Sequence, residues 1–411
     1  MFARYAPWGR TRSKHAVRRP AALSYLWPFP DRMETTAPST LTPATGPTGG
    51  RPAIHVTRTF LPPEEEYLHW LRKAYASHVL TNQGPIHQEL EETLRARADV
   101  PHLRLMANGT LALQLAIRAL GVKGKVITTP FSYVATTSAI LWEGCEPVFA
   151  DIDPRTCCID PASIEAAITP GVTAILATHV YGIPCDVEAI DAIAKRHGMK
   201  VIYDAAHAFD VKYKGRSILQ WGDASTLSFH ATKLFHTVEG GAVVLHDAAD
   251  DERLRLLRSF GHRNDDHLAL GMNAKMSEVH AAMGMAVLPH VEDIIQRRRR
   301  IVETYDRALA GAVDRPVMPE GVAYNFAYYP VLFRDGAERE HVLAELAAEG
   351  IHCRRYFYPS LDTLPYVDAA ACPKSRDMAA RTLCLPLYPE LAPRDTDRIT
   401  GALLAALDRR S

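Results

Sequence analysis

The sequence lacks an excess of charge of either sign. Its 411 residues include 47 Lys and Arg against 47 Asp and Glu, so the formal net charge is zero. A chain that binds nucleic acid or an anionic membrane surface through electrostatics normally carries a basic excess. The sequence also lacks any uninterrupted apolar run near the roughly 18–20 residues that a membrane-spanning helix requires. We therefore expect neither nucleic acid nor a membrane as a partner.

The cysteine and histidine patterns lack the spacings of a disulfide framework or a metal site. The seven cysteines are odd in number and include no C-x-x-C pair. The 18 histidines are scattered, and no H-E-x-x-H motif occurs. We expect reduced cysteines in a cytoplasmic protein and no bound metal.

Residues 1–55 have little acidic content, and their second half has little apolar content. No acidic residue precedes Asp31, and the following stretch METTAPSTLTPATGPTGGRP is rich in Thr, Pro and Gly. Such a composition buries too little apolar surface to order itself, so we predict a disordered extension. An Arg-rich, acid-poor start is also typical of a mitochondrial transit peptide. A true start at Met33 would explain the composition equally, and these alternatives stay open.

From Leu61 onward, helical patterns alternate with short apolar strand patterns. The strands include LRLMA, KVITTP, VTAILATHV and MKVIYDAA. Near-continuous apolar strands separated by helices indicate a parallel sheet covered on both faces, which is an α/β fold. We predict a large domain over residues 56–314 and a smaller C-terminal α/β domain over residues 315–411. In such sheets, ligands bind beyond the carboxyl ends of the strands.

Candidate binding residues follow the ends of these strands. Gly109 and Thr110 open a helix, where backbone N–H groups and a hydroxyl suit one phosphate. Tyr133 offers an aromatic face to a flat ligand. Asp204 closes an apolar strand, where a buried carboxylate requires a hydrogen-bonding or charged partner. The structural alternatives are a simple helix cap at Gly109, a core aromatic at Tyr133 and a turn cap at Asp204.

Lys233 lies in a loop after the strand pattern that ends at Phe229, with two glycines behind it. A lysine attacks a carbonyl only after losing its proton, and a cramped loop favours the neutral amine. The alternative is a solvated surface lysine. A phosphate cradle, an aromatic ring, a buried aspartate and a loop lysine together match a pyridoxal-phosphate site. There Lys233 would bond to the cofactor, and Asp204 would hold the proton on its ring nitrogen.

Several stretches after Leu61 also carry a family resemblance. They are NGTLAL, PFSYVATTSAI, EPVFADID, THVYG, YDAAHA, SFHATK with EGG behind it, and GMNAKMSEVHAAMG. With these stretches the chain resembles the sugar aminotransferases of the DegT/StrS type, in the fold-type-I pyridoxal-phosphate group. The HATK stretch is similar to the subgroup that acts on nucleotide-linked 4-keto-6-deoxyhexoses. The resemblance implies a fold-type-I large domain with a mostly parallel sheet, plus a smaller C-terminal domain.

The resemblance implies roles for individual residues. It makes Lys233 the Schiff-base lysine and Asp204 the partner of the ring nitrogen, and it places His207 near the phenolic oxygen of the cofactor. The remaining implied cofactor contacts are the stacking Tyr133, the phosphate ligands Gly109, Thr110 and Ser228, and Asn273. Asn273 would reach across a dimer interface to the phosphate in the partner subunit, which implies a homodimer with shared active sites.

Three residues near the C-terminus are candidates for contacts with the substrate. Arg354, Arg355 and Tyr358 occupy a place where relatives carry substrate-facing residues. The alternative is a surface strand without a role in binding.

The implied reaction moves an amino group from L-glutamate to a keto-sugar nucleotide. The foremost acceptor is a dTDP-4-keto-6-deoxyhexose, which would give a 4-amino-4,6-dideoxy sugar nucleotide. Alternatives are a 3-keto sugar, a GDP- or UDP-linked sugar, and a sugar 3-dehydratase on the same scaffold. Lys233 argues against the dehydratase, in which histidine replaces the lysine. The presence of both Asp204 and Lys233 argues against a non-catalytic regulator.

Overall fold

The computed structural model describes residues 52–368 and 370–409. Most of the predicted N-terminal extension, residues 1–51, lies outside the described residues. Within the described part, Ile54–His55 form a short strand that pairs in parallel with Ile351–His352. Paired backbone thus occurs at residues 54 and 55, inside the predicted extension, and the boundary of that extension stays a prediction.

Twelve α-helices occur in the described part of the chain. Their bounds are α1 Glu64–Ser77, α2 Pro85–Ala98, α3 Gly109–Ala119, α4 Val134–Trp142, α5 Pro161–Ala167, α6 Val187–His197, α7 Ala248–Leu257, α8 Glu278–Val287, α9 Val291–Ala308, α10 Gly336–Ala348, α11 Pro373–Arg381 and α12 Pro393–Asp408. None of the helices described is long and apolar enough to cross a membrane.

The strands of the described residues alternate with these helices. Their bounds are β1 Ile54–His55, β2 His102–Met106, β3 Lys125–Thr128, β4 Glu146–Phe149, β5 Val172–Thr178, β6 Lys200–Asp204, β7 Lys212–Tyr213, β8 Arg216–Ser217, β9 Ala224–Ser228, β10 Gly241–Leu245, β11 His262–Arg263, β12 Asp266–His267, β13 Val322–Ala323, β14 Tyr329–Leu332, β15 Ile351–His352 and β16 Thr382–Leu385.

A seven-stranded sheet in the order β2-β10-β9-β6-β5-β3-β4 forms the centre of the fold. Strands β9, β6, β5, β3 and β4 run parallel to one another. Strand β10 runs antiparallel to both β2 and β9. The predicted α/β fold with a mostly parallel sheet is confirmed. The sequence pattern did not distinguish the reversed strand, because a fully buried strand is equally apolar in either direction.

Successive residues of the central strands enter two different hydrophobic clusters. In β5, Ile175 and Ala177 join one cluster, whereas Ala174 and Leu176 join the other. Because successive side chains of a strand point to opposite faces, these clusters cover the two sides of the sheet. Burial on both sides explains why the strands read as near-continuous apolar runs.

The C-terminal part has a hydrophobic cluster of its own. Strands β14 and β16 pair antiparallel, and their Tyr329 and Leu385 pack with Val342 of α10 and Leu403 of α12. This cluster matches the expected smaller α/β portion. The described residues nevertheless belong to one compact unit, so a domain boundary after residue 314 stays a prediction.

Glu278, the last residue of MSE in the stretch GMNAKMSEVHAAMG, caps the N-terminus of α2. The carboxylate of Glu278, at the start of α8, accepts hydrogen bonds from the backbone N–H groups of Ile86 and His87, each at 2.9 Å. These are the free donors at the first turn of α2, and a negative charge there is favoured by the helix dipole. This part of the stretch GMNAKMSEVHAAMG therefore contributes to the packing of α2 against α8.

Candidate active site

A cavity of about 330 Å³ is lined by residues at or just beyond the carboxyl ends of β5, β6 and β9. It brings together most of the residues that the sequence singled out. They are Gly109, Thr110, Tyr133, Asp204, His207, Ser228, Lys233 and Arg354. Strand ends of a parallel sheet converge in this way, which explains why residues from distant segments share one site.

The N-terminus of α3 forms one wall of the cavity. Its cap is Asn108, whose side-chain oxygen accepts from the N–H of Leu111 at 2.9 Å. A Cβ atom on Gly109 would lie 2.8 Å from the Cβ of Ser228, so only glycine lets the end of β9 approach so closely. Because Asn108 serves as the cap, the Thr110 hydroxyl is not needed for that task. The wall can therefore receive a phosphate between a helix N-terminus and two hydroxyls.

Asp204 ends β6 and is buried. One carboxylate oxygen accepts a hydrogen bond from the Thr136 hydroxyl at 2.8 Å, and the other accepts from the N–H of Ala206 at 3.1 Å. Burial raises the pKa of Asp204, while these hydrogen bonds and the charge of Lys233 oppose the rise. Asp204 has no ion pair within 4 Å among the described residues, so a cation inside the cavity would find a carboxylate ready to hold it.

Lys233 lies in the loop between β9 and β10, and its side chain is half-buried. Within the described residues, its ammonium group makes no hydrogen bond or ion pair. Burial lowers the pKa of Lys233, and the attraction of Asp204 opposes that shift. The neutral amine is therefore more accessible than in a surface lysine, and a neutral amine is the form that attacks a carbonyl. The alternative of a solvated surface lysine does not hold.

His207 follows β6 and is buried beside Phe357, with ring centroids 5.5 Å apart and the planes 1° from parallel. Its Nδ1 accepts a hydrogen bond from the N–H of Tyr181 at 3.2 Å. Burial, together with the charge of Lys233, lowers the pKa of His207 far below its usual value. The ring is therefore neutral, and its proton resides on Nε2, which can donate to an oxygen in the cavity.

Tyr133 stands at the N-cap of α4 with 59% of its surface exposed, so the core alternative does not hold. Its position at the cavity wall leaves an aromatic face available to a flat ligand.

Three predicted site residues, Asn273, Arg355 and Tyr358, do not line this cavity. Asn273 accepts a hydrogen bond from Lys275 at 2.7 Å. The ring of Tyr358 lies 4.2 Å from the guanidinium of Arg355, which also pairs with Glu340 at 3.3 Å. Tyr358 and Arg355 thus contact each other outside the cavity.

The sequence reasoning missed three aromatic residues of the C-terminal part. Tyr328, Tyr356 and Phe357 also line the cavity. Tyr356 follows Arg354 by two positions, so alternation along an extended segment was an available signal for it. Tyr328 and Phe357 carried no local signal, since aromatic residues in such segments are usually core.

Sequence comparisons identify relatives over most of the chain. The model of the DegT/DnrJ/EryC1/StrS aminotransferase family matches residues 63–404. The dTDP-4-amino-4,6-dideoxy-D-glucose transaminase of Shigella dysenteriae is 42% identical over 348 residues, which cover 82% of this chain and 95% of that protein. The transaminase of the same name from Escherichia coli is 40% identical over 366 residues, covering 86% and 99%.

Solved structures give the same picture. The crystal structure of DesI in the presence of its TDP-sugar product matches with a TM-score of 0.84 and 36% identity, covering 89% of this chain and 96% of DesI. The aminotransferase TlmJ from Streptoalloteichus hindustanus matches with a TM-score of 0.82 and 27% identity, covering 87% and 99%. The similarity thus extends over nearly the whole length of these enzymes.

Proposed function

The chain belongs to the DegT/DnrJ/EryC1/StrS aminotransferase family, and from this premise we propose that it moves an amino group from L-glutamate to a keto-sugar nucleotide. Aminotransferases of this family use pyridoxal phosphate, and we propose the same cofactor for this chain. One observation carries the proposal: Lys233 and Asp204 line a single cavity, and neither has an ion-pair partner among the described residues.

The residues of the cavity fit this cofactor. Gly109, Thr110 and Ser228 would hold the phosphate, because the close approach at Gly109 leaves a cradle that any Cβ atom would obstruct. Tyr133 would stack on the ring, and Asp204 would accept a hydrogen bond from its protonated nitrogen. When bound, pyridoxal phosphate supplies an electron-withdrawing ring that stabilises negative charge at the α-carbon of the amino acid.

Lys233 performs the proton transfers in this proposal. Its amine, with a pKa lowered by burial, takes the proton from the α-carbon of L-glutamate and later returns a proton to the sugar carbon that receives nitrogen. The half-buried position keeps bulk water from competing for these protons. Asp204 would hold its negative charge close to the cofactor ring, and His207 would donate from Nε2 to an oxygen of the ligand.

The proposed acceptor is a dTDP-4-keto-6-deoxyhexose, and the product a 4-amino-4,6-dideoxy sugar nucleotide. The names of the two relatives at 42% and 40% identity support this choice. Relatives named for a UDP-sugar and for GDP-perosamine are 34% and 33% identical. Arg354 lines the cavity and has no ion pair among the described residues, so it offers a cation to a substrate carboxylate or diphosphate.

We also propose a cytoplasmic homodimer with shared active sites. The hairpin of β11 and β12 is flanked by the exposed apolar side chains of Phe260, Leu268 and Leu270, which suits a protein–protein interface. Asn273 lies directly after this region and would serve the site of the partner subunit. The seven cysteines are free, which suits a reducing compartment. No nucleic acid or membrane partner is proposed.

The test is to incubate the purified protein with L-glutamate and a panel of dTDP-, GDP- and UDP-linked 3-keto and 4-keto sugars. The expected result is rapid formation of 2-oxoglutarate and of a 4-amino-4,6-dideoxy product with the dTDP-linked 4-keto sugar, identified by mass and proton couplings. Faster turnover of a GDP- or UDP-sugar, or amination at C3, would correct the acceptor. The absence of turnover with every member of the panel would contradict the proposed function.

A further inference from the structure

A buried row of three hydroxyl groups ends on Asp204. The hydroxyls of Thr178 and Ser132 lie 2.9 Å apart, those of Ser132 and Thr136 lie 2.8 Å apart, and Thr136 lies 2.8 Å from the carboxylate of Asp204. All four side chains are buried. The row joins the end of β5, the start of α4 and the end of β6, and Thr178, Ser132 and Asp204 of this row line the cavity.

The carboxylate sets the direction of every hydrogen bond in this row. An ionised carboxylate can only accept, so Thr136 must donate to Asp204. The oxygen of Thr136 is then left to accept from Ser132, and the oxygen of Ser132 to accept from Thr178. Hydrogen bonds that run in one direction polarise and strengthen one another.

Both oxygens of Asp204 are held, but by different kinds of group. The backbone N–H of Ala206 donates to one oxygen at 3.1 Å, and the hydroxyl of Thr136 donates to the other. Two donors on two oxygens fix the plane of the carboxylate. Among the described residues, Thr136 is the one whose side chain donates to Asp204. This hydrogen bond therefore depends on the type of residue at position 136, whereas the bond from the backbone N–H of Ala206 does not depend on a side chain.

We infer that Thr136 is a positioning residue, which orients the carboxylate of Asp204 toward the ring nitrogen of pyridoxal phosphate. Ser132 and Thr178 support it by holding its hydroxyl in the donating direction. The inference rests on the proposed function, because Asp204 needs a fixed orientation only if it binds such a ring.

The chain offers a matched control one position away. Thr137 is also fully buried in α4, but its hydroxyl has no hydrogen-bond partner in the described part of the chain. Thr136→Val and Thr137→Val therefore make the same chemical change in the same helix turn. Only the first removes a hydrogen bond to Asp204, and Thr136→Ser restores the hydroxyl.

The experiment measures the dissociation constant of pyridoxal phosphate for the apoprotein and the visible circular dichroism of the cofactor-saturated protein. A hydrogen bond to a charged group of this kind changes binding roughly tenfold or more. We expect Thr136→Val to bind roughly tenfold more weakly and to show a reduced dichroic band. Thr136→Ser and Thr137→Val should match the wild type in both measurements.

Ser132→Ala provides a second variant if thermal unfolding shows that Thr136→Val does not fold. It keeps the bond between Thr136 and Asp204 but removes its support, and we expect binding about two- to threefold weaker. Wild-type behaviour of either folded variant, or an equal loss in Thr137→Val, would overturn the inference alone. A wild-type apoprotein that takes up no cofactor would contradict the proposed function as well.

Discussion

Two regions of the molecule bury charged side chains in opposite ways. Behind β2, Glu91 accepts from Arg258 at 2.8 Å and from Arg104 at 3.0 Å, and Arg104 also donates to Asp251 at 2.7 Å. In the cavity, by contrast, Lys233 and Asp204 line the same space without an ion pair. The first region satisfies its charges internally, whereas the second leaves them available to a ligand.

The pKa directions follow from this difference. Burial opposes ionisation of Glu91, yet the ring of His87, 3.4 Å away, and the charge of Arg258 overcome it and lower the pKa. For Asp204 burial prevails and raises the pKa, and for Lys233 burial lowers it. Perturbed and uncompensated groups in a cleft are typical of functional sites, while compensated pairs are typical of structural ones. This difference supports a structural role for the cluster at Glu91 and the proposed catalytic role for Lys233 and Asp204.

Removal of the cavity amine should have the largest effect. Lys233→Ala should lower transamination at least about 10³-fold, because the substitution deletes the group that transfers the protons. The rate of amino-sugar formation measures this, and thermal unfolding should show an intact fold. Lys195→Ala, which removes an exposed lysine of α6, is the control and should retain full activity. Substantial turnover by Lys233→Ala would assign the chemistry to another residue.

Disruption of the ion pairs around Glu91 should lower the stability of the fold and leave the rate of amino transfer unchanged. Arg258→Met removes the fully buried partner of Glu91 and leaves it with the more exposed Arg104, which should lower the free energy of unfolding by roughly 3–5 kcal/mol. Urea denaturation measures the loss, and the folded fraction should keep its activity. Arg95→Met, at the exposed pair with Glu92, should have a much smaller effect. Equal effects of the two variants would contradict a structural role for the buried cluster.

Neutralisation of Asp204 should lower activity without lowering stability. Because the folded state raises the pKa of Asp204, the folded protein binds this proton more tightly than the unfolded chain does. The ionised carboxylate therefore disfavours folding at neutral pH, and this cost disappears as the pH falls through the raised pKa. Asp204→Asn should thus leave the apoprotein at least as stable at pH 7 while lowering activity roughly 10²-fold.

The two measurements are urea denaturation of the apoprotein and the rate of amino transfer. A loss of stability at pH 7 comparable to that of Arg258→Met would show instead that Asp204 has a structural role.

Much of the site was predictable because strand order and strand ends leave a local trace. Asp204 ends one apolar strand and Lys233 follows another, and parallel strands bring such ends together. Tyr328 and Phe357 were not predictable, since the C-terminal part reaches the cavity through tertiary packing that no periodicity encodes. The pair of Glu91 and Arg258 was hidden for the same reason, because the two residues lie 167 positions apart.

The most direct test of the central claim is to locate the covalent link to the cofactor. Purified protein is saturated with pyridoxal phosphate, reduced with borohydride, digested and analysed by peptide mass spectrometry. The account predicts that the reduced cofactor is attached to the peptide that contains Lys233, at close to one per chain. Attachment to a different lysine, or no attachment at all, would contradict it.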